Sequence, residues 1–216
     1  INLIKEMKIK KFTFNSFQEN TYVVSSNNDC MIIDPGCTTL SEKKEIADYI
    51  SENQLHPIEL INTHCHLDHI FGNKFVCDKY NLTAQMHKKD LPLLENSEKI
   101  AEYYAVDLEP PSKDVIFLNE NDKIILGETS WKIIFTPGHA PGHICLLNQK
   151  DKILIAGDVL FFMSIGRTDL PLCNHNDLIK SINDKLLVLD DNIEVLPGHG
   201  KSTTIGFEKK NNPFLQ

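Results

Sequence analysis

The sequence predicts a single α/β domain, and three observations carry that reading. Short strand-like and helix-like segments recur in two similar halves of the chain. The 216 residues amount to about 1.4 times the common ~150-residue domain size, so one domain is expected rather than two. The composition, 41% hydrophobic and 24% charged, is that of a chain that buries a core, which excludes disordered, collagen-like and disulfide-scaffold classes.

The elements follow in order. Residues 7–15 alternate apolar and polar (Ile9, Phe12, Phe14), and 21–25 and 30–33 are rich in β-formers; together they predict a meander. Asp34-Pro35-Gly36 closes it as a turn. A helix is predicted from Ser41, with Glu42, Lys43 and Lys44 in its first turn and Ile46, Ile50 and Leu55 on its apolar face. A short buried strand over 58–62 runs into Thr63-His64-Cys65-His66-Leu67-Asp68-His69. A helix over 70–80, a strand over 82–86 and a helix over 88–104, broken by Pro92 near its start, come next. Glu109-Pro110-Pro111 is a turn or lid-like loop. The second half carries strands at 115–118, 123–126, 131–136, 144–148 and 153–156, a helix over 176–188 with Leu178, Ile182 and Leu186 at helical spacing, and a last strand at 193–196 before Pro197-Gly198-His199-Gly200.

The net charge of −8 argues against a nucleic-acid binder, which usually shows a basic face. No run approaches the ~18 apolar residues of a membrane span. The beginning, INLIKEMKIKK, has no apolar core and does not read as a secretory leader; the initiator is expected at Met7 or upstream. Six scattered cysteines without a CxxC pair read as free thiols in a reducing cytoplasm, Cys30 and Cys145 as small core residues.

The chemistry lies in five of the nine histidines: His64, His66 and His69 in one segment, His139 in Thr136-Pro137-Gly138-His139-Ala140-Pro141-Gly142-His143, and His199. Each segment follows a predicted strand, where a rigid scaffold holds reactive groups. In an extended segment alternate side chains share a face, so His64 and His66 can grip one cation while Asp68 and His69 turn away toward a second. Imidazole and carboxylate at this density suit Zn²⁺ and related first-row metals. Cys65 is expected to point away from the cations, and His56, His87 and His175 are expected to be ordinary surface or core histidines, with His143 intermediate. Gly157-Asp158 ends a strand, and a carboxylate there could bridge two cations.

These motifs, spread from Asp34 to His199 and in this order, resemble the metallo-β-lactamase superfamily, and SIGRTDLP at 164–171 is similar to its short glyoxalase II-like hydrolases. The resemblance implies a four-layer αββα sandwich, two mixed sheets flanked by helices, with a two-metal site at one edge. It implies one cation held by His64, His66 and His139, a second by Asp68, His69 and His199, Asp158 bridging them, and Asp34 supporting the histidine loop from behind. It implies two divalent ions, zinc by default with iron or manganese as alternatives, and hydrolysis of a thioester such as S-lactoylglutathione by a hydroxide held between them, with Asp68 and Asp158 as catalytic residues. Three features depart from the full-length glyoxalase II pattern: Lys201 and Asp169 stand where that family has tyrosines, and only 17 residues follow His199, so the helical glutathione-binding region is not expected. Arg167 and Lys201 are the candidate contacts to an anionic small-molecule substrate; neither nucleic acid nor membrane is an expected partner. Asp158, where true β-lactamases carry Cys or Ser, disfavours antibiotic hydrolysis. Two further readings are a persulfide dioxygenase holding one iron on His64, His139 and Asp158, and a metal-binding module without catalysis.

Overall fold

The structure, a computed structural model, describes residues 7–216. The first part of the segment read against a secretory leader therefore lies outside the described residues.

The first half builds one six-stranded mixed sheet. Strands β1 (Lys8–Phe14), β2 (Glu19–Ser26) and β3 (Asp29–Ile33) form the predicted antiparallel meander, and β4 (His56–Ile61), β5 (Ala84–His87) and β6 (Ile116–Leu118) add parallel to it, in the order β1-β2-β3-β4-β5-β6. The crossovers carry α1 (Leu40–Glu52), α2 (Leu67–Ile70) and α3 (Asn73–Tyr80), then α4 (Leu91–Glu95) and α5 (Ser97–Tyr104). The second half builds the other sheet from β7 (Lys123–Leu126), β8 (Thr129–Phe135), β9 (Ile144–Asn148) and β10 (Ile153–Gly157). A small hairpin follows, β11 (Leu160–Phe161) and β12 (Ser164–Ile165), then α6 (His175–Ser181), β13 (Glu194–Pro197), β14 (Thr203–Thr204) and α7 (Ile205–Asn211). Its sheet order is β14-β13-β10-β9-β8-β7.

Alternation along the strands decides the layers, because successive side chains leave opposite faces of a sheet. Tyr22, Val24, Met31 and Ile33 of the first sheet meet Trp131, Ile133, Ile144, Leu146 and Ile155 of the second, all buried. Their neighbours Val23, Cys30, Ile32 and Leu60 face the other way, onto Ile46 and Ile50 of α1 and Val76 of α3. Cys145, Leu147, Leu154 and Val195 likewise pack on Leu178 and on Ile182 and Leu186 of the turn after α6. Helices thus cover both outer faces of two stacked sheets, the expected four-layer αββα sandwich.

Several boundaries differ from the sequence reading. The segment 88–104 is not one helix: a 3-10 turn over Lys88–Asp90 leads into α4, and the chain breaks at Asn96. Pro92 sits in the first turn of α4, where its missing N–H has no intrahelical partner to lose, so it starts that helix rather than breaking it. The helix predicted over 176–188 is α6 followed by a π-helical turn, Ile182–Leu186. The helix predicted over 70–80 divides into α2 and α3 at Phe71–Gly72. The two-residue strands β11, β12 and β14 are too short to leave a periodic signal, and α7, unpredicted, is capped by Thr204, whose hydroxyl accepts the Phe207 N–H at 3.2 Å.

Strands β8, β10 and β13 run the same way, so their C-terminal ends share one edge of the sandwich. The end of β4 meets that edge, because Ile144 donates its N–H to the Thr63 carbonyl at 2.8 Å. The four histidine- and aspartate-bearing segments are brought together there.

Candidate metal centre

Asp34 is the pivot of the first segment. It adopts a left-handed backbone (φ 49°) and is buried. Such strain in a non-glycine residue is held only where the surroundings over-determine it. Here one carboxylate oxygen accepts the Thr63 N–H at 2.7 Å, and the other accepts the Thr63 hydroxyl at 2.6 Å and faces His69 Nδ1 at 3.0 Å. Beyond Thr63 the rings of His64 and His66 lie side by side, their centroids 4.8 Å apart, and from the extended His66 the chain turns into α2, which carries Asp68 and His69.

The predicted ligands fall into two groups. The donor atoms of His64, His66 and His139 lie within 4.8 Å of one another, and so do those of Asp68, His69 and His199. Asp158 reaches both: its Oδ2 is 3.5 Å from His139 Nε2 and 3.4 Å from His199 Nε2, and its Oδ1 is 3.4 Å from His69 Nε2. The backbone admits it only because residues 157 and 198 are glycines. Gly157 is left-handed (φ 48°), and a Cβ on Gly198 would collide with Asp158 Oδ1.

The far nitrogens are anchored. His64 Nδ1 meets the Thr63 hydroxyl at 3.0 Å, His139 Nδ1 donates to the Arg167 carbonyl at 2.8 Å, and His199 Nδ1 faces the Phe17 and Gln18 carbonyls at 3.1 and 3.2 Å. Anchors of this kind fix ring orientation and tautomer in metal sites. The near atoms are left over: His64 Nε2, His69 Nε2 and Asp158 Oδ1 are buried without a hydrogen-bond partner. Orphaned buried polar atoms are costly, and these three converge, so the residues fit a divalent cation.

Electrostatics separates the two groups. Burial, reinforced by the neighbouring imidazoles, pushes His64 and His66 below the ordinary imidazole range, His66 to about 3, and burial lowers His139 as well. The first group is therefore a set of neutral bases. In the second, burial opposes charge but loses: Asp158, Asp68 and Asp34 hold His69 well above its usual range, and hydrogen bonds to Asp158 and Asp68 push His199 up to about 10. Despite its own burial, Asp158 is held well below the carboxylate range by His69 and His199.

A superfamily profile described as metallo-beta-lactamase matches residues 15–199, most of the chain. The chain belongs to the metallo-β-lactamase superfamily. Among its relatives, it is 34% identical to the probable metallo-hydrolase YqgX of Bacillus subtilis, over 97% of this chain and 98% of that protein. It is also 34% identical to the hydroxyacylglutathione hydrolase GloC of Haemophilus influenzae, over 97% and 98%. Among solved structures, the BLEG-1 B3 metallo-beta-lactamase aligns with a TM-score of 0.86 at 32% identity over 97% of this chain and 100% of that one. TTHA1623 in a di-iron-bound form aligns at 0.87 and 31% over 95% and 100%.

The remaining predicted residues divide. Cys65 points away from the centre, its Sγ 3.4 Å from Met86 Sδ, and all six cysteines are free thiols. Arg167 lies next to the centre through its backbone, but its exposed guanidinium makes two 2.7 Å hydrogen bonds to Asp169. Lys201 Nζ sits 3.5 Å from the centroid of the Phe162 ring. His56 is exposed at the start of β4, His87 stacks on Phe135, and His175 meets the Thr168 hydroxyl at 3.2 Å. The 109–111 loop is tied down by a 2.8 Å ion pair from Glu109 to Lys43, beside a cleft of about 650 Å³ lined in part by Phe17 and Phe71.

Three buried groups are given no role by the sequence reading. His143 Nε2 accepts the Asp158 N–H at 3.0 Å while its Nδ1 meets the Thr136 hydroxyl at 3.0 Å, so it fixes the backbone of Asp158. The signal available for His143 is its place in the same short segment as His139. Glu19 is fully buried 4.0 Å from His69 Nδ1, and burial pushes its carboxyl well above the usual range. Asp90 is the third. Among the described residues no helix is long and apolar enough to cross a membrane.

Proposed function

We propose that the chain is a two-cation hydrolase of the glyoxalase II type, cleaving an anionic thioester such as S-lactoylglutathione in the cytoplasm. The observation that carries this is Asp158, set between two anchored ligand groups and touching both. The likeness to GloC supports the substrate class. Zinc is the first metal to test and iron the second, given the di-iron form of TTHA1623.

Divalent cations bound at such a centre supply an ionised water near neutral pH and polarise the carbonyl oxygen of the substrate. The chain's own residues set the rest. His64, His66 and His139 would hold one cation and Asp68, His69 and His199 the other. Asp158 would offer a carboxylate oxygen to each and, with Asp68, would accept a hydrogen bond that orients the attacking water toward the carbonyl carbon. The thiolate leaving group, with a pKa near ~8.5, needs no strong general acid. Arg167 and Lys201 would meet the anionic carrier, Arg167 by exchanging Asp169 for it. The one-iron persulfide reading uses His64, His139 and Asp158 and leaves Asp68, His69 and His199 without a task.

Metal analysis paired with a thioester panel tests the proposal. Two ions per chain and hydrolysis of S-lactoylglutathione support it; oxygen uptake with glutathione persulfide, without thioester hydrolysis, overturns it.

A further inference from the structure

Asp90 ends the 3-10 turn and precedes α4, where an aspartate ordinarily caps the helix. Its side chain makes no hydrogen bond to that helix. It is completely buried, and it reaches two loops from different sheets. Oδ2 accepts the N–H of Cys65 at 2.8 Å, between His64 and His66; Oδ1 accepts the N–H of Gly142, in the loop that carries His139. The loops press on it closely, for a Cβ on Gly142 would collide with the Asp90 backbone nitrogen and stand 2.7 Å from Oδ1. Across the same junction His66 Nδ1 and His139 Nε2 are 2.8 Å apart.

We propose that Asp90 is a positioning residue for the first cation: one carboxylate ties the loop of His64 and His66 to the loop of His139 at the separation their convergence requires. Two N–H donors on the two oxygens of one side chain fix both loops at once. In Asp90→Asn the volume is kept, but one N–H meets an amide N–H instead of an oxygen, so one loop is released. The inference rests on the two-cation reading of the centre and not on its substrate.

The test uses Co²⁺ binding to the full chain, by equilibrium dialysis and visible absorption, in two backgrounds. His199→Ala removes a ligand of the second group and leaves the first to be read; His139→Ala does the reverse. Adding D90N is expected to weaken Co²⁺ binding about 10–100-fold in the first background, the range for lost supporting hydrogen bonds, and to leave the second unchanged. Equal weakening in both backgrounds means a general loss of structure and overturns the inference, as does unchanged binding in the first. Should D90N fail to fold, Gly142→Ala presses on the same contact from the other loop and must give the same selective loss. If the His199→Ala chain itself takes up no Co²⁺, the two-cation reading fails and takes this inference with it.

Discussion

Asp158 concentrates the chemistry at the scale of single residues. Its two oxygens face His69 on one side and His139 and His199 on the other, and its N–H is held by His143. Asp158→Ala is expected to lower thioester hydrolysis by orders of magnitude and to reduce metal content from two ions toward one per chain, read by elemental analysis of the dialysed protein. Full activity with two ions would show that the carboxylate does not bridge. Asp34 acts one step further out. Its carboxylate serves Thr63 and His69 from a buried position, so Asp34→Ala leaves buried donors without an acceptor, at about 1–3 kcal/mol for each. The expected outcome is a lower melting temperature together with weaker metal binding; a variant that melts as the parent and binds metal equally well would deny Asp34 that role.

At the scale of elements, the C-terminal helix governs a rim of the centre. Glu208 of α7 is fully buried and accepts the Met163 N–H at 3.0 Å, at the tip of the β11–β12 hairpin, while Asn212 donates to the Ser164 carbonyl at 2.9 Å. That hairpin carries Phe161, whose ring centroid is 6.2 Å from that of His199, and Phe162 under Lys201. Glu208→Ala is expected to raise KM for the thioester with metal content unchanged, because it frees the hairpin without touching a ligand. Parent-like KM in a folded E208A chain would separate the hairpin from substrate binding. None of this was legible in the sequence: two-residue strands have no period, and Glu208 stands in no motif. The long strands were legible because burial on one or both faces writes an alternating or continuous apolar pattern. The metal groups were legible because a strand end compresses them into short motifs. The parts played by His143 and Asp90 were not, since Asp158 for the one and Cys65 and Gly142 for the other come from other segments and only the closed fold brings them within reach.

At the scale of the whole molecule, the pH response follows from how unevenly protons are held across the centre. The first group is neutral at pH 7, with His66 held down to about 3, whereas His199 in the second, despite its burial, is pushed up to about 10 by its hydrogen bonds to Asp158 and Asp68. A cation needs the lone pair that the proton occupies, so uptake at the second position releases protons and tightens as pH rises, while uptake at the first releases none. Protonated His199 also stabilises the chelator-treated chain. Because its pKa is raised on folding, that contribution is complete below the ordinary imidazole pKa of ~6.5 and disappears as pH climbs through about 10. The chelator-treated chain is therefore expected to melt at progressively lower temperature from pH 7 to pH 10, and the metal-loaded chain to lack that part of the decline, since its His199 holds a cation instead of a proton. Differential scanning calorimetry across that range, paired with proton release during metal titration in weak buffer, reads both effects. Parallel decline of the two forms, or metal uptake at pH 7 with no proton released, would remove His199 from the second group.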